Sequence, residues 1–80
     1  MSIRVDLNPI LRRIYRPDYD PDKGLILADG AGKTLHQIVK ELGIPLDEVS
    51  SILVNHRVQQ PNYRVLDGDV IHLSIAISGG

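Results

Sequence analysis

The period of the hydrophobic pattern changes twice along this chain, and that double change most limits the folds open to it. Ile3, Val5 and Leu7 alternate with Ser2, Arg4 and Asp6, the two-residue period of a strand with one buried face. From Thr34 the apolar residues Leu35, Ile38, Val39 and Leu42 fall at i, i+3, i+4 and i+7, one stripe of an amphipathic helix. Thr34 and Gln37 have the spacing of a capping box, and Gly43-Ile44-Pro45 supplies a stop. At residues 70–77 the period returns to two. Ile71, Leu73, Ile75 and Ile77 then face the core, with Val70, His72, Ser74 and Ala76 outward.

The segments between are shorter. Asn8-Pro9 offers a helix cap followed by proline at the first helical position, so Ile10 to Tyr15 reads as a short helical turn or a further strand. Arg16 to Lys23 is a mobile loop rich in Pro and Asp. Gly24 to Asp29 is a second strand and Ser51 to Val54 a third, the latter closed by an Asn55-His56 turn. Val58 to Leu66 holds short pairing segments, and Asp67-Gly68-Asp69 turns into the last strand. Strands on both sides of one helix predict an α+β fold: a mixed sheet of about four or five strands packed on one main helix, a β-grasp. Residues 1–77 form that domain, and 78–80 a flexible C-terminal tail.

Eighty residues suffice for one domain, and the absence of Phe and Trp leaves its core to Leu, Ile and Val. A net charge of −1 gives no electrostatic case for nucleic acid or an anionic membrane. With no Cys there is no disulfide framework, thiolate metal site, iron–sulfur cluster or Cys nucleophile in these residues. No apolar run reaches membrane-spanning length and no signal-peptide pattern opens the chain, so the expected location is the cytoplasm.

Most motifs that suggest chemistry have a structural explanation. Gly30-Ala31-Gly32-Lys33-Thr34 ends like a phosphate-binding P-loop, but that motif needs glycine where Leu27 stands. The segment reads instead as a glycine loop entering a helix. His36, His56 and His72 are scattered over different elements, so no metal site is expected. Arg12, Arg13 and Arg16 form a basic cluster, followed at once by Asp18, Asp20 and Asp22, a mixed solvated surface. Asp67 and Asp69 flank Gly68 as turn residues. No catalytic constellation emerges.

Ser78-Gly79-Gly80 stands apart. With a small serine and then two residues without side chains, such a tail can thread a narrow channel, and Gly79 and Gly80 can adopt backbone angles closed to other residues. A terminal carboxylate there would be an anion at neutral pH and a nucleophile toward an activated phosphate.

Ile52-Leu53-Val54-Asn55, Val58, the run Leu66-Asp67-Gly68-Asp69-Val70-Ile71-His72-Leu73 and Gly79-Gly80 together resemble the ThiS/MoaD sulfur-carrier family of ubiquitin-like β-grasp proteins. Gly32-Lys33-Thr34-Leu35 is similar to the segment before that family's main helix. The resemblance implies a carrier whose Gly80 carboxylate is adenylated with ATP and converted to a thiocarboxylate. Gly79 and Ser78 would thread the active site, and the outward sheet face (Arg4, Asp6, His72, Ser74, Ala76) would bind partners. It implies an adenylyltransferase of the ubiquitin-activating type and a sulfur donor of the cysteine desulfurase or rhodanese type. An acceptor synthase, such as the molybdopterin synthase large subunit, would receive the sulfur, and no stably bound cofactor is expected.

The long insert Asn8 to Lys23 resembles molybdopterin synthase small subunits more than the shorter thiamine-pathway carriers. The run Ser74 to Ser78, however, lacks the proline frequent in that branch, and Leu7 and Ile10 stand near its aromatic positions. Sulfur delivery to molybdopterin or tungstopterin synthesis is therefore expected, with thiamine thiazole synthesis the alternative. A ubiquitin-like modifier conjugated through Gly80 would use the same tail, whereas a plain interaction module would need none.

Overall fold

The computed structural model describes residues 2–75; Met1 and residues 76–80 lie outside it. Ala76, Ile77, Ser78, Gly79 and Gly80, and with them the proposed division at residue 77, therefore fall beyond the described residues.

The fold is set by burying the alternate residues of three strands. These are β1 (Ile3–Leu7), β3 (Val49–Val54) and β5 (Val70–Ile75), and the short strands β2 (Leu25–Leu27) and β4 (Arg57–Val58) complete a sheet ordered β2-β1-β5-β3-β4. The central strand β5 runs parallel to β1, with Val5 beside Ile71 and Leu7 beside Leu73. It runs antiparallel to β3, with Ile52 beside Leu73 and Val54 beside Ile71. Because side chains alternate across a strand, these registers gather Ile3, Val5, Leu7, Ile52, Val54, Ile71 and Leu73 on one face, all buried. Two helices cover that face: α1 (Pro9–Tyr15) contributes Leu11, and α2 (Leu35–Glu41) contributes Leu35, Ile38 and Val39. This mixed five-stranded sheet under two helices is the expected ubiquitin-like β-grasp.

Local signals explain both helix starts. Asn8 accepts a hydrogen bond from the Leu11 amide at 2.9 Å, so Ile10 to Tyr15 is helix and not strand. Thr34 and Gln37 form the expected reciprocal capping box. Two further amides of α2 donate across the chain, Leu35 to the Tyr63 carbonyl and His36 to that of Pro61, both at 3.0 Å. The Lys33 ammonium meets both Glu41 carboxylate oxygens at 2.9 and 3.0 Å. The Lys and Thr of the Gly-Lys-Thr triplet are thus both engaged in building α2.

Three expectations need correction. The second strand is shorter than Gly24 to Asp29: it spans Leu25–Leu27, because the chain already turns at Ala28-Asp29. The third starts earlier, at Val49, after a 3₁₀ turn over Leu46–Glu48. The loop Arg16 to Lys23, expected to be mobile, is tethered at Tyr19, which packs against the core. The Tyr19 hydroxyl accepts from the Leu7 amide at 3.3 Å and donates to Asp6 Oδ1 at 3.4 Å. Gly24 ends this loop at φ +68°, and a Cβ there would lie 2.5 Å from Asp6 Oδ1.

Candidate functional site

The outward face of the sheet follows from the same registers that fill the core. Asp6 stands beside His72 and Arg4 beside Val70 across β1 and β5, while Leu53 stands beside His72 and Ser51 beside Ser74 across β5 and β3. Arg4, Asp6, His72 and Ser74, named from the sequence, therefore share one surface, each half-buried. Ala76 lies outside the described residues.

Two of these residues are already occupied. Arg4 Nε donates to Asp6 Oδ1 at 2.8 Å, and this hydrogen bond raises the arginine pKa further above its ordinary value. The pair presents a nearly neutral bar on β1, and a partner there would meet a fixed dipole in place of a free charge. Ser74 is engaged through its backbone, its carbonyl accepting from Ser50 Oγ at 3.2 Å.

The same face also carries apolar side chains. Val70 is 39% exposed, Ile26 58% and Val58 67%, an apolar fringe on β5 and on both edge strands. Between them Asp6, Leu53, Asn55, His56, Val70 and His72 line a depression of about 270 Å³. Leu53 was missed as a contact, although Ile52-Leu53-Val54 contained the signal: in a strand that buries Ile52 and Val54, Leu53 must point the other way. An exposed apolar surface with a few polar groups suits protein docking more than catalysis. Among the described residues, no three His, Cys, Asp or Glu side chains are grouped to hold a metal ion.

The motif that carried much of the sequence resemblance proves to be structural. Asp69, read as a turn residue, is 5% exposed and accepts three hydrogen bonds. Asn55 Nδ2 donates to its Oδ1 at 2.9 Å, while the Tyr63 hydroxyl and the Leu66 amide donate to Oδ2 at 3.0 and 2.8 Å. Asn55 also accepts from the Val70 amide at 3.0 Å, locking the turn after β3 to the start of β5. Partial burial, then the bond to Asp69, raises the Tyr63 phenol above its ordinary pKa. Asn55 and His56 hold φ values of +51° and +71°, the left-handed pair of a two-residue hairpin turn.

Sequence reasoning also passed over the setting of the basic cluster. Arg12, Arg13 and Arg16 line a cavity of about 240 Å³ with Pro9, Pro17 and Tyr19, where the sequence indicated only a solvated mixed-charge surface. No helix among the described residues is long and apolar enough to cross a membrane.

No curated protein matches this chain. The family model described as Mut7-C ubiquitin matches residues 3–74, from the first residue of β1 to the penultimate residue of β5. With the sheet order and registers above, that match shows that the chain belongs to this ubiquitin-like family.

Proposed function

We propose that this ubiquitin-like protein is a sulfur carrier that works through Gly80, with the outward sheet face as the surface its partners grip. The observation that carries the reading is the setting of β5. It is the central strand, held by β1 through Leu73 and by β3 through Ile75, and its sequence leads within five residues to Gly79-Gly80. A strand paired on both sides and followed a few residues on by two glycines suits presentation of a carboxylate to another protein's active site.

In this reading the chain is substrate and carrier, and its partner is the catalyst. A carboxylate oxygen of Gly80 attacks the α-phosphorus of ATP and pyrophosphate leaves. The outer sulfur of a persulfide on the donor protein then attacks the acyl carbon and AMP leaves with the bonding electrons, giving an acyl disulfide. A thiol attacks the donor-side sulfur of that disulfide, forms a disulfide with the donor, and releases the outer sulfur on Gly80 as a thiocarboxylate. The resulting thiocarboxylate carries sulfur to an acceptor synthase. Molybdopterin or tungstopterin synthesis is favoured by the Asn8 to Lys23 insert, which the fold uses to build α1 and the Tyr19-anchored loop.

The test is the intact mass of the protein recovered from its native cells, with peptide mapping of the C-terminal segment. Replacement of one Gly80 oxygen by sulfur is expected. Gly80 in peptide linkage to a further residue, or an unmodified carboxylate after incubation with ATP and a sulfur source in native lysate, overturns the reading.

The family match ends at residue 74, short of the diglycine, and this favours a second reading: an interaction module acting through the sheet face alone. One alanine added after Gly80 separates the two. The module keeps its partner, and the carrier loses its activation.

A further inference from the structure

We infer that the cavity formed by Arg12, Arg13, Arg16 and Tyr19 receives an acidic side chain of the protein that docks on the sheet face, making it a second recognition point beside the end of β5. The proposal rests on the sheet-face docking put forward above and not on the sulfur chemistry.

The pocket begins with local geometry. The last turn of α1 presents Arg12 and Arg13, and the Arg16 amide closes that turn by donating to the Arg12 carbonyl at 2.9 Å. The Tyr19 amide donates to the Arg16 carbonyl at 3.0 Å, folding the loop back over the helix. The Arg12 guanidinium then sits 5.6 Å from the centroid of the Tyr19 ring. Because Tyr19 is itself bonded to Leu7 and Asp6, Arg12 is positioned before any partner arrives.

Its charges are unspent. The salt bridges among the described residues involve Arg4 and Lys33, and none of these three arginines. The aspartates of the adjoining loop form no salt bridge with them, and Asp20 instead caps its own turn by accepting from the Asp22 amide at 2.9 Å. Arginine forks pair bidentately with carboxylates and phosphates, so an anchored guanidinium flanked by two more suits such an anion. The carboxylate of an acidic side chain is the form a docking protein carries on its own residues. A cavity of about 240 Å³ holds one acidic side chain. Asp18, Asp20 and Asp22 nearby, with a net charge of −1, disfavour a long polyanion such as RNA.

Position ties the pocket to the docking face. Asp6 lines the sheet depression and bonds Tyr19, so the two sites share a border. The Asn8 amide donates to the Leu73 carbonyl at 3.1 Å, which places the start of α1 against the last turnless stretch of β5. A partner gripping the sheet while acting beyond residue 75 passes this pocket.

The experiment is an NMR titration of the full isotope-labelled chain with a hexaglutamate peptide, run beside inorganic phosphate and octauridylate. Saturable shifts at the Arg12, Arg13 and Arg16 side chains and at Tyr19 are expected with the peptide. They should weaken with added salt, and roughly tenfold in the Arg12→Gln/Arg16→Gln double variant. Absence of those shifts overturns the proposal, as does equal binding of phosphate or tighter binding of octauridylate at the same residues. The titration needs neither ATP nor a free Gly80 carboxylate, so its failure is distinct from failure of the carrier reading, which the intact mass decides.

Discussion

The two ends of the central strand β5 are built on opposite terms. At its start, Asp69 is buried and each of its carboxylate oxygens is claimed by Asn55, Tyr63 or the Leu66 amide. Toward its finish, α1 and the following loop hold three arginines around an open cavity, none of them in a salt bridge among the described residues. A polar network whose members satisfy one another rigidifies a turn and leaves its carboxylate little to offer a ligand. Unpaired charges on a pre-positioned scaffold do the reverse. The Asp69 carboxylate serves the stability of the strand, whereas the arginine cavity is the feature we propose for recognition.

The sharpest way to break that contrast is Asp69→Ala, which removes the buried acceptor of three part-buried hydrogen bonds. It should cost about 3 kcal/mol in urea unfolding at unchanged slope, within the range of about 2–5 kcal/mol expected for Leu73→Ala in the apolar core. A loss below about 1 kcal/mol would show that the node is not a stability element. Gly24→Ala tests the loop that supports the arginine end. Its positive φ and the close approach to Asp6 predict a cost of about 1–2 kcal/mol, with the Tyr19 ring resonances displaced in the same spectra.

Tyr63→Phe should cost about 1 kcal/mol and also change the response to alkali. The phenol's pKa is raised in the folded state, so the native chain favours the protonated form. That contribution is complete below the unfolded tyrosine pKa of about 10 and is lost as pH climbs from there through the raised folded value. Thermal melts from pH 9 upward should show a shallower loss for Tyr63→Phe than for the parent. Some slope should remain, because the hydrogen bond to Glu48 raises the Tyr15 phenol as well. The smallest expected effect falls at the other end of β5. Arg12→Gln with Arg16→Gln should change stability by no more than about 1 kcal/mol, the worth of one cation–π contact, while removing the acidic-peptide response.

How much of this was legible in the sequence differs by residue. Leu35, Ile38, Val39 and Leu42 announced α2 because their spacing depends only on helix geometry, and Thr34 with Gln37 marked its start. Arg4, Asp6, His72 and Ser74 could be assigned to one face because alternation is local. Asp69 could not be read correctly. A carboxylate next to Gly68 looks like any turn residue until Asn55 and Tyr63 arrive from elsewhere in the chain. Tyr19 was hidden for the same reason, since a Pro- and Asp-rich loop looks mobile until its aromatic ring finds the core.

What the sequence determined by itself was the kind and facing of its elements: strand, helix, stripe and cap all arise from residues within a few positions of one another. Only the tertiary structure decided that β5 lies between β1 and β3, that Asn55, Tyr63 and Asp69 meet, and that three arginines surround a cavity fixed by Tyr19. Those outcomes depend on pairings between distant segments, selected by which arrangement buries all the apolar faces together while leaving few polar groups unpaired.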